Sequence, residues 1–359
     1  MMDSPHLSIK RFVYSSAIAM IHNSLRRFSA PLSIGVMMVG CFFGGCEVIG
    51  QTESDTVAKN LNVPLPTIGG AQLWTDLENR AGYRLQRNSV SGHCRVLDPK
   101  NIRRGWGSET DALQLLDELC PAPPEPSAKP MAVLIHGLMR TDSSMKSLEK
   151  ALRADGYDSV IRFGYASTRS GLAESAAALR RVLEGQHRDT QFCFVGHSMG
   201  NIVTRHLIGD LQRDGDPAGI LPRCRAMVML GPPNHGAVIA KRLAATGVFG
   251  LVAGPGAMEL GTGWDEIEAN LATPPFPFSV VAGKVEPGPI RNPLVEGDSD
   301  FVVGLEEAKL AGAESIHEVP VLHSFLMNDE ACQKWTATFL DEHLGESPND
   351  TSVAIAPSE

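Results

Sequence analysis

Phe192-Cys193-Phe194-Val195-Gly196-His197-Ser198-Met199-Gly200 decides how the rest of the chain reads. A short apolar run ends in Gly-x-Ser-x-Gly. Asn201, Ile202, Val203, Leu207 and Leu211 then recur at helical spacing. Strand, sharp turn and helix in direct succession hold a serine at a strained bend with its hydroxyl exposed. Glycines flank the bend because a Cβ there would meet the neighbouring strand or helix. The helix that begins beside Ser198 aims its positive end at the same point.

Outward from this bend, the pattern repeats. Met131–Ile135 is a continuous apolar run, the mark of a strand buried on both faces. It ends in His136-Gly137-Leu138-Met139. Ser143 then reads as the cap of a helix carrying Met145, Leu148 and Leu152 on one face. Ser159–Phe163 is the next strand, and Leu172, Ala176, Leu179 and Leu183 mark the next helix. After Ser198 and its helix come strands at Ala226–Leu230, Phe278–Gly283 and Ser315–Val319. A helical run over Glu306–Leu310 precedes the last of these, and a closing helix carries Ala331, Trp335 and Phe339. Strands alternating with helices at this spacing predict an α/β fold with a doubly wound, mostly parallel sheet. Its strand C-terminal ends then line one edge, with His136-Gly137, Ser198 and Pro233-Asn234-His235-Gly236 in the loops there. Residues 237–275 are long for a connection and rich in Gly and apolar side chains, including Val248, Phe249, Leu251 and Val252. They read as a cap or lid over an apolar substrate, since such residues in a plain loop are a liability.

The chain of 359 residues carries a net charge of −9. Residues 1–45 hold four basic side chains and one acidic one, so the remainder carries −12. An acidic body argues against nucleic acid as a partner and against electrostatic adhesion to anionic lipid. The seven cysteines form no CxxC pair that would point to zinc. Cys193 lies in the apolar run and reads as core packing, whereas Cys94 and Cys120 flank one segment and are a candidate disulfide.

At the N-terminus, Arg26 and Arg27 precede an apolar run over 30–45 that is shorter than the ~20 residues of a spanning helix. Basic flank, short apolar region and Gly44-Gly45 before Cys46 resemble a bacterial lipoprotein signal, with Cys46 as the lipidated residue. Phe43 stands where Leu is usual, and Cys41 is a second candidate. An ordinary cleaved signal and an uncleaved anchor are the alternatives, and all three imply export. Lys10 to Ile21 forms a separate basic and apolar start, which a true start at Met20 would explain. Residues 51–67 read as a polar tether. Leu73–Gly82 and Thr110–Leu119 show short helical patterns in an N-terminal extension (46–129) that reads as a cap on the main domain. The proline-rich run 121–126 closes it. The domain itself spans 130–344, with a flexible tail over 345–359.

A serine hydroxyl is a weak nucleophile at neutral pH. It needs a base to take its proton and a carboxylate to hold that base in the right tautomer. On a fold of this kind they follow in the order serine, acid, histidine. His323 comes directly after the last strand and is the candidate base. His235 precedes the acid and reads as a loop-shaping residue. His197 is the variable position of the bend, His136 belongs to the loop after the first core strand, and His317 lies inside the last strand. Asp300 is the preferred acid because a helix follows to position it, with Asp298 as the alternative. The backbone N–H groups of Met199 and Leu138 are the candidate oxyanion donors, Met139 being the alternative to Leu138.

His136-Gly137-Leu138-Met139-Arg140-Thr141, Gly196-His197-Ser198-Met199-Gly200, Pro233-Asn234-His235-Gly236, Leu260-Gly261-Thr262-Gly263, Asp300 and His323 together resemble bacterial α/β-hydrolases of the lipase/esterase type. That group is similar to triacylglycerol lipases and to GPI-inositol-deacylase-like proteins. The resemblance covers residues 130–344. It implies carboxylic-ester hydrolysis through an acyl-enzyme, with Ser198, Asp300 and His323 as the triad. No metal or cofactor is implied. The expected partners are a small-molecule or lipid ester and, through the N-terminal anchor, a membrane. Acyl transfer with the same triad and a catalytically silent binding protein on this fold are the competing readings. One departure stands out: the family often has Asp-Gly where this chain has Asp300-Phe301, which keeps Asp298 open.

Overall fold

The computed structural model describes residues 71–244, 254–285 and 297–344. The signal segment, Cys41, Cys46, the tether, the apolar residues 248–252 and the tail lie outside the described residues. No helix among the described residues is long and apolar enough to cross a membrane.

The N-terminal extension folds as an antiparallel sheet of four strands in sequence order: β1 (Trp74–Arg80), β2 (Tyr83–Asn88), β3 (Cys94–Leu97) and β4 (Arg103–Gly107). The helical reading of 73–82 is therefore corrected to a strand and a turn. Ala81 and Gly82 both have positive φ (49° and 83°), and Arg80 pairs with Tyr83 across them. Two successive positive-φ residues make the tight hairpin turn that matches strand twist. A helix over Glu109–Leu119 closes the unit, capped by Ser108 and Asp111 bonding each other's backbone N–H. It covers one face of the sheet, where Leu77, Leu85, Val96, Ala112 and Leu116 are buried together. Cys94 and Cys120 are both free thiols, which corrects the candidate disulfide. Cys94 is buried on β3, whereas the Cys120 thiol ends that helix and points to the Ala122 carbonyl.

The second sheet has six parallel strands: β5 (Met131–Ile135), β6 (Val160–Phe163), β7 (Phe192–His197), β8 (Cys224–Leu230), β9 (Phe278–Gly283) and β10 (Ser315–Val319). They lie in the order β10-β9-β8-β7-β5-β6. The chain winds one way from β5 to β6 and the other way from β7 onward. Helices cover both faces, and every residue of β5, β7 and β9 is buried. Ser143 does not cap the first helix directly. A 3-10 turn over Asp142–Met145 intervenes before the helix Lys146–Ala154.

Register aligns the working ends. Ile135 pairs with Gly196, and His197 with Leu230, which in turn pairs with Val281. The loops after β5 and β7 thus emerge side by side where the winding reverses, the place such sheets reserve for ligands.

Candidate active site

Ser198 has φ 53° and ψ −124°, a conformation that L-residues avoid. The surroundings over-determine it. Ser198 N–H donates to the Leu230 carbonyl at 2.8 Å. The Asn201 side-chain amide donates to the Ser198 carbonyl at 3.0 Å and to the Leu230 carbonyl at 3.3 Å. A Cβ on Gly200 would stand 2.4 Å from the Ile135 carbonyl oxygen, and one on Gly196 would stand 2.2 Å from the Asn201 side chain. Both flanking positions must be glycine. Asn201 was legible only as a helical position, because its anchoring role depends on a β8 carbonyl distant in sequence.

Asp300 and His323 meet at 2.7 Å between Oδ2 and Nδ1, and both are buried. Since a carboxylate only accepts, Nδ1 carries the proton and Nε2 is left as the bare nitrogen. The other Asp300 oxygen accepts the N–H groups of Val302 and Val303 at 3.0 and 2.7 Å. The Asp300 carbonyl accepts from His323 N–H at 3.0 Å. Asp298 instead faces outward and pairs with Lys284 at 3.0 Å. Phe301 lies at φ 79°, in the left-handed region. The backbone that glycine would adopt is thus retained in spite of the aromatic side chain, and the acid's loop keeps its shape.

The strand ends bring these groups together. A Cβ on Gly231, next to Leu230, would stand 3.0 Å from His323 Nδ1, and one on Gly137 would stand 3.0 Å from Ser198 Cβ. The loop after β5 therefore lies against the serine, and the loop after β8 against the histidine. The N–H groups of Leu138, Met139 and Met199 donate to no acceptor among the described residues. Segment 255–260 reaches the same place: a Cβ on Gly256 would stand 3.1 Å from the Met199 sulfur.

Two further histidines, His197 and His136, surround the site in fixed roles. His197 Nε2 donates to the His323 carbonyl at 3.0 Å, with ring centroids 4.8 Å apart. It is more than a variable position: it ties the bend to the loop that carries His323. Burial, and then the nearby His323, hold its pKa well below the ordinary value, so it is neutral. His136 is fully buried, and burial lowers its pKa to about 4. Its Nδ1 donates to the Gly137 carbonyl at 2.9 Å, and its Nε2 accepts from Tyr165 N–H at 3.4 Å. His235, by contrast, is exposed. The loop there is shaped by its buried neighbour Asn234, whose side chain accepts from Arg205 at 3.0 Å and donates to the Ala308 carbonyl at 2.8 Å. His317 stacks on Trp335. Burial pushes the Cys193 thiol up to about 12, so near the start of β7 it is inert packing.

No protein-family model and no curated protein matches this chain. Solved structures do. The propeptide form of the lipase BlEst2 from Bacillus licheniformis is 18% identical, with a TM-score of 0.50 over 64% of this chain and 54% of that one. This chain therefore spans about half the length of that form. The mature form of the same lipase is 18% identical, with a TM-score of 0.47 over 60% of this chain and 94% of that one. The lin2722 gene product of Listeria innocua is 16% identical, with a TM-score of 0.43 over 61% of this chain and 97% of that one. The six-stranded parallel core, its winding reversal and the likeness to the propeptide form define an α/β-hydrolase fold, and the chain is similar to proteins of the lipase/esterase type.

Proposed function

We propose that this protein is a serine ester hydrolase working through an acyl-enzyme. The observation that carries the reading is the buried Asp300–His323 hydrogen bond, on a loop that His197 ties to the strained bend at Ser198. Ser198 Oγ attacks the ester carbonyl while His323 Nε2 takes its proton. Asp300 keeps the other nitrogen protonated and stabilises the imidazolium that forms. The oxyanion is received by Met199 N–H and Leu138 N–H. A donor of this kind is typically worth ~3 kcal/mol in the transition state. His323 then returns the proton to the leaving alcohol, and water repeats the sequence to free the acid.

The substrate is an acyl ester. Met139, Leu322 and Phe325 are exposed large apolar side chains on the loops that carry the oxyanion donors and the base. They present an apolar rim where an acyl chain would enter, and segment 255–260 supplies part of a cover over Met199. The lipase whose propeptide form this fold resembles fits that choice. Export and anchoring through Cys46 complete the proposal and rest on the N-terminal sequence alone.

The test is a p-nitrophenyl ester series from short to long acyl chains, in wild type and Ser198→Ala, alongside fluorophosphonate labelling. Turnover and labelling lost together in Ser198→Ala support the reading. Labelling of Ser198→Ala equal to wild type removes Ser198 from the role. A precursor labelled with palmitate in wild type and not in Cys46→Ser supports the anchor, and equal labelling refutes it.

A further inference from the structure

The second face of the N-terminal sheet carries polar residues where core residues are expected. Asp76 on β1 pairs with Gln86 on β2, Gln86 with Arg95 on β3, and Arg95 with Trp106 on β4. Asp76, Gln86 and Arg95 are all buried. Trp74 and Arg84 lie two residues before Asp76 and Gln86 along their strands and so share that face. The face turns towards the end of β6, where Asp76 accepts Gly164 N–H at 2.7 Å. A cavity of about 250 Å³ remains between them, lined by Trp74, Arg84, Gln86 and Arg95 on one side and by His136 and Lys146 on the other.

Arg95 is the anomaly in this cavity. It is 6% exposed, yet among the described residues no carboxylate lies within ion-pair distance. Its Nε and Nη2 donate to the Gln86 oxygen at 2.9 and 2.7 Å, and its guanidinium lies 3.9 Å from the centroid of Trp74. Its Nη1 donates to nothing among the described residues. A buried cation without a counter-charge is costly, and a protein retains one where a partner of opposite sign arrives. Burial, with Arg84 and Arg103 adding repulsion, lowers its pKa only to about 10, so the charge persists.

The balance around it is positive. Arg84, Arg95 and Lys146 stand against two carboxylates, Asp76 and Asp142, with Arg84 3.9 Å from Asp76. Asp142 is shared with Arg84 and Arg162 at 3.3 and 3.2 Å, while Arg162 is also paired with Glu149. One positive charge is left over, and Lys146 makes no ion pair among the described residues.

The geometry points to a binding site for a phosphate-class oxyanion in this cavity, held by Arg95 Nη1 and the side chains of Arg84 and Lys146. Planar guanidinium edges and one mobile ammonium suit a tetrahedral dianion. The site lies behind His136 and does not depend on the ester-hydrolase reading.

Isothermal titration calorimetry of the full chain with inorganic phosphate, against chloride at matched ionic strength, tests it. Wild type and Ser198→Ala should bind with the same Kd. Arg95→Gln should weaken binding roughly tenfold or more, the scale of one lost charge-assisted pair. Lys146→Gln changes an exposed side chain that leaves folding intact, and should weaken binding severalfold even if Arg95→Gln fails to fold. Lys150→Gln, outside the cavity, should match wild type. A parallel titration with glycerol 3-phosphate separates the sources. Tighter binding than phosphate indicates the head of an organic phosphate, and equal binding indicates the free ion. No binding heat in wild type, or Lys146→Gln equal to wild type, overturns the assignment.

Discussion

The two sheets bury polar groups in opposite ways. At the C-terminal edge of the parallel sheet, Asp300, His323, His197 and His136 each find a protein partner, which fixes the tautomer of each histidine, and among the described residues the buried His197 Nδ1 is left unpartnered. On the inner face of the antiparallel sheet, Asp76 and Gln86 are satisfied, but the relay they form ends on a guanidinium with an idle donor. Closure suits a site that must hold geometry through a reaction. An idle donor suits a site that must accept something. The first is built from loops on a rigid sheet and the second from strands across their full width, so their responses to substitution should separate.

The largest separation should appear in turnover. Asp300→Asn keeps the shape of the acid but favours the wrong tautomer of His323, and kcat/KM should fall by about 10⁴. Asp298→Asn, which loses only a half-exposed pair with Lys284, should stay within about twofold of wild type. Steady-state kinetics on one p-nitrophenyl ester measures both. The reverse order would move the acid to Asp298.

Acid should then destabilise the catalytic edge through its histidines. The folded pKa of His136, about 4, lies below its unfolded value of about 6.5. The unfolded chain therefore binds more protons in that window, and stability falls as pH drops from about 6.5 to about 4. His197 acts with the same sign. Asp76 acts with the opposite sign, because burial raises its pKa and the folded state takes up a proton first as pH falls. Urea unfolding at pH 7 and at about pH 4.5 should show a loss in wild type of which ~2–3 kcal/mol disappears in His136→Gln. An undiminished loss in that variant would mean that His136 is charged in the folded protein.

The antiparallel sheet should respond in stability and not in rate. Both Asp76 oxygens accept, one from Gln86 and one from Gly164 N–H. Asp76→Asn turns one acceptor into a donor facing a donor, and should cost about 1–3 kcal/mol by chemical denaturation. Its kcat/KM at 25 °C should stay within about twofold of wild type. A large kinetic loss at unchanged stability would join the two regions that this contrast keeps apart.

Legibility in the sequence followed locality. The strands and helices of the parallel core were readable because runs such as Met131–Ile135 are apolar throughout and because Ser198 sits between two glycines. The strands of the N-terminal sheet were not, since Trp74–Arg80 mixes Asp76, Glu78 and Arg80 with apolar residues. Asp76 is buried there only because Gln86 and Gly164 meet it. Its turn was also hidden, since Ala81 gives no sign of positive φ. In the site, Ser198, His323 and Asp300 were legible from chemistry and chain order. Asn201, Asn234 and His197 were not, because each acts through a carbonyl or side chain far along the chain.

Phe301 offers the finest test of how rigid the catalytic edge is. A non-glycine residue at φ 79° costs roughly 1–2 kcal/mol, whereas glycine there costs the folded chain about 0.5–1 kcal/mol in lost freedom. Phe301 is partly buried, so the contacts its ring loses offset part of that gain. Phe301→Gly should therefore leave stability within about 1 kcal/mol of wild type, on the stabilising side, seen as a rise in Tm of at most a few degrees. Activity should be unchanged, because Asp300 is held by the N–H groups of Val302 and Val303 and by its bond to His323, none of which needs the ring. A fall in kcat without a fall in Tm would instead assign the ring itself a part in seating the acid. The strain at 301 would then belong to the site in the same sense as the strain at Ser198.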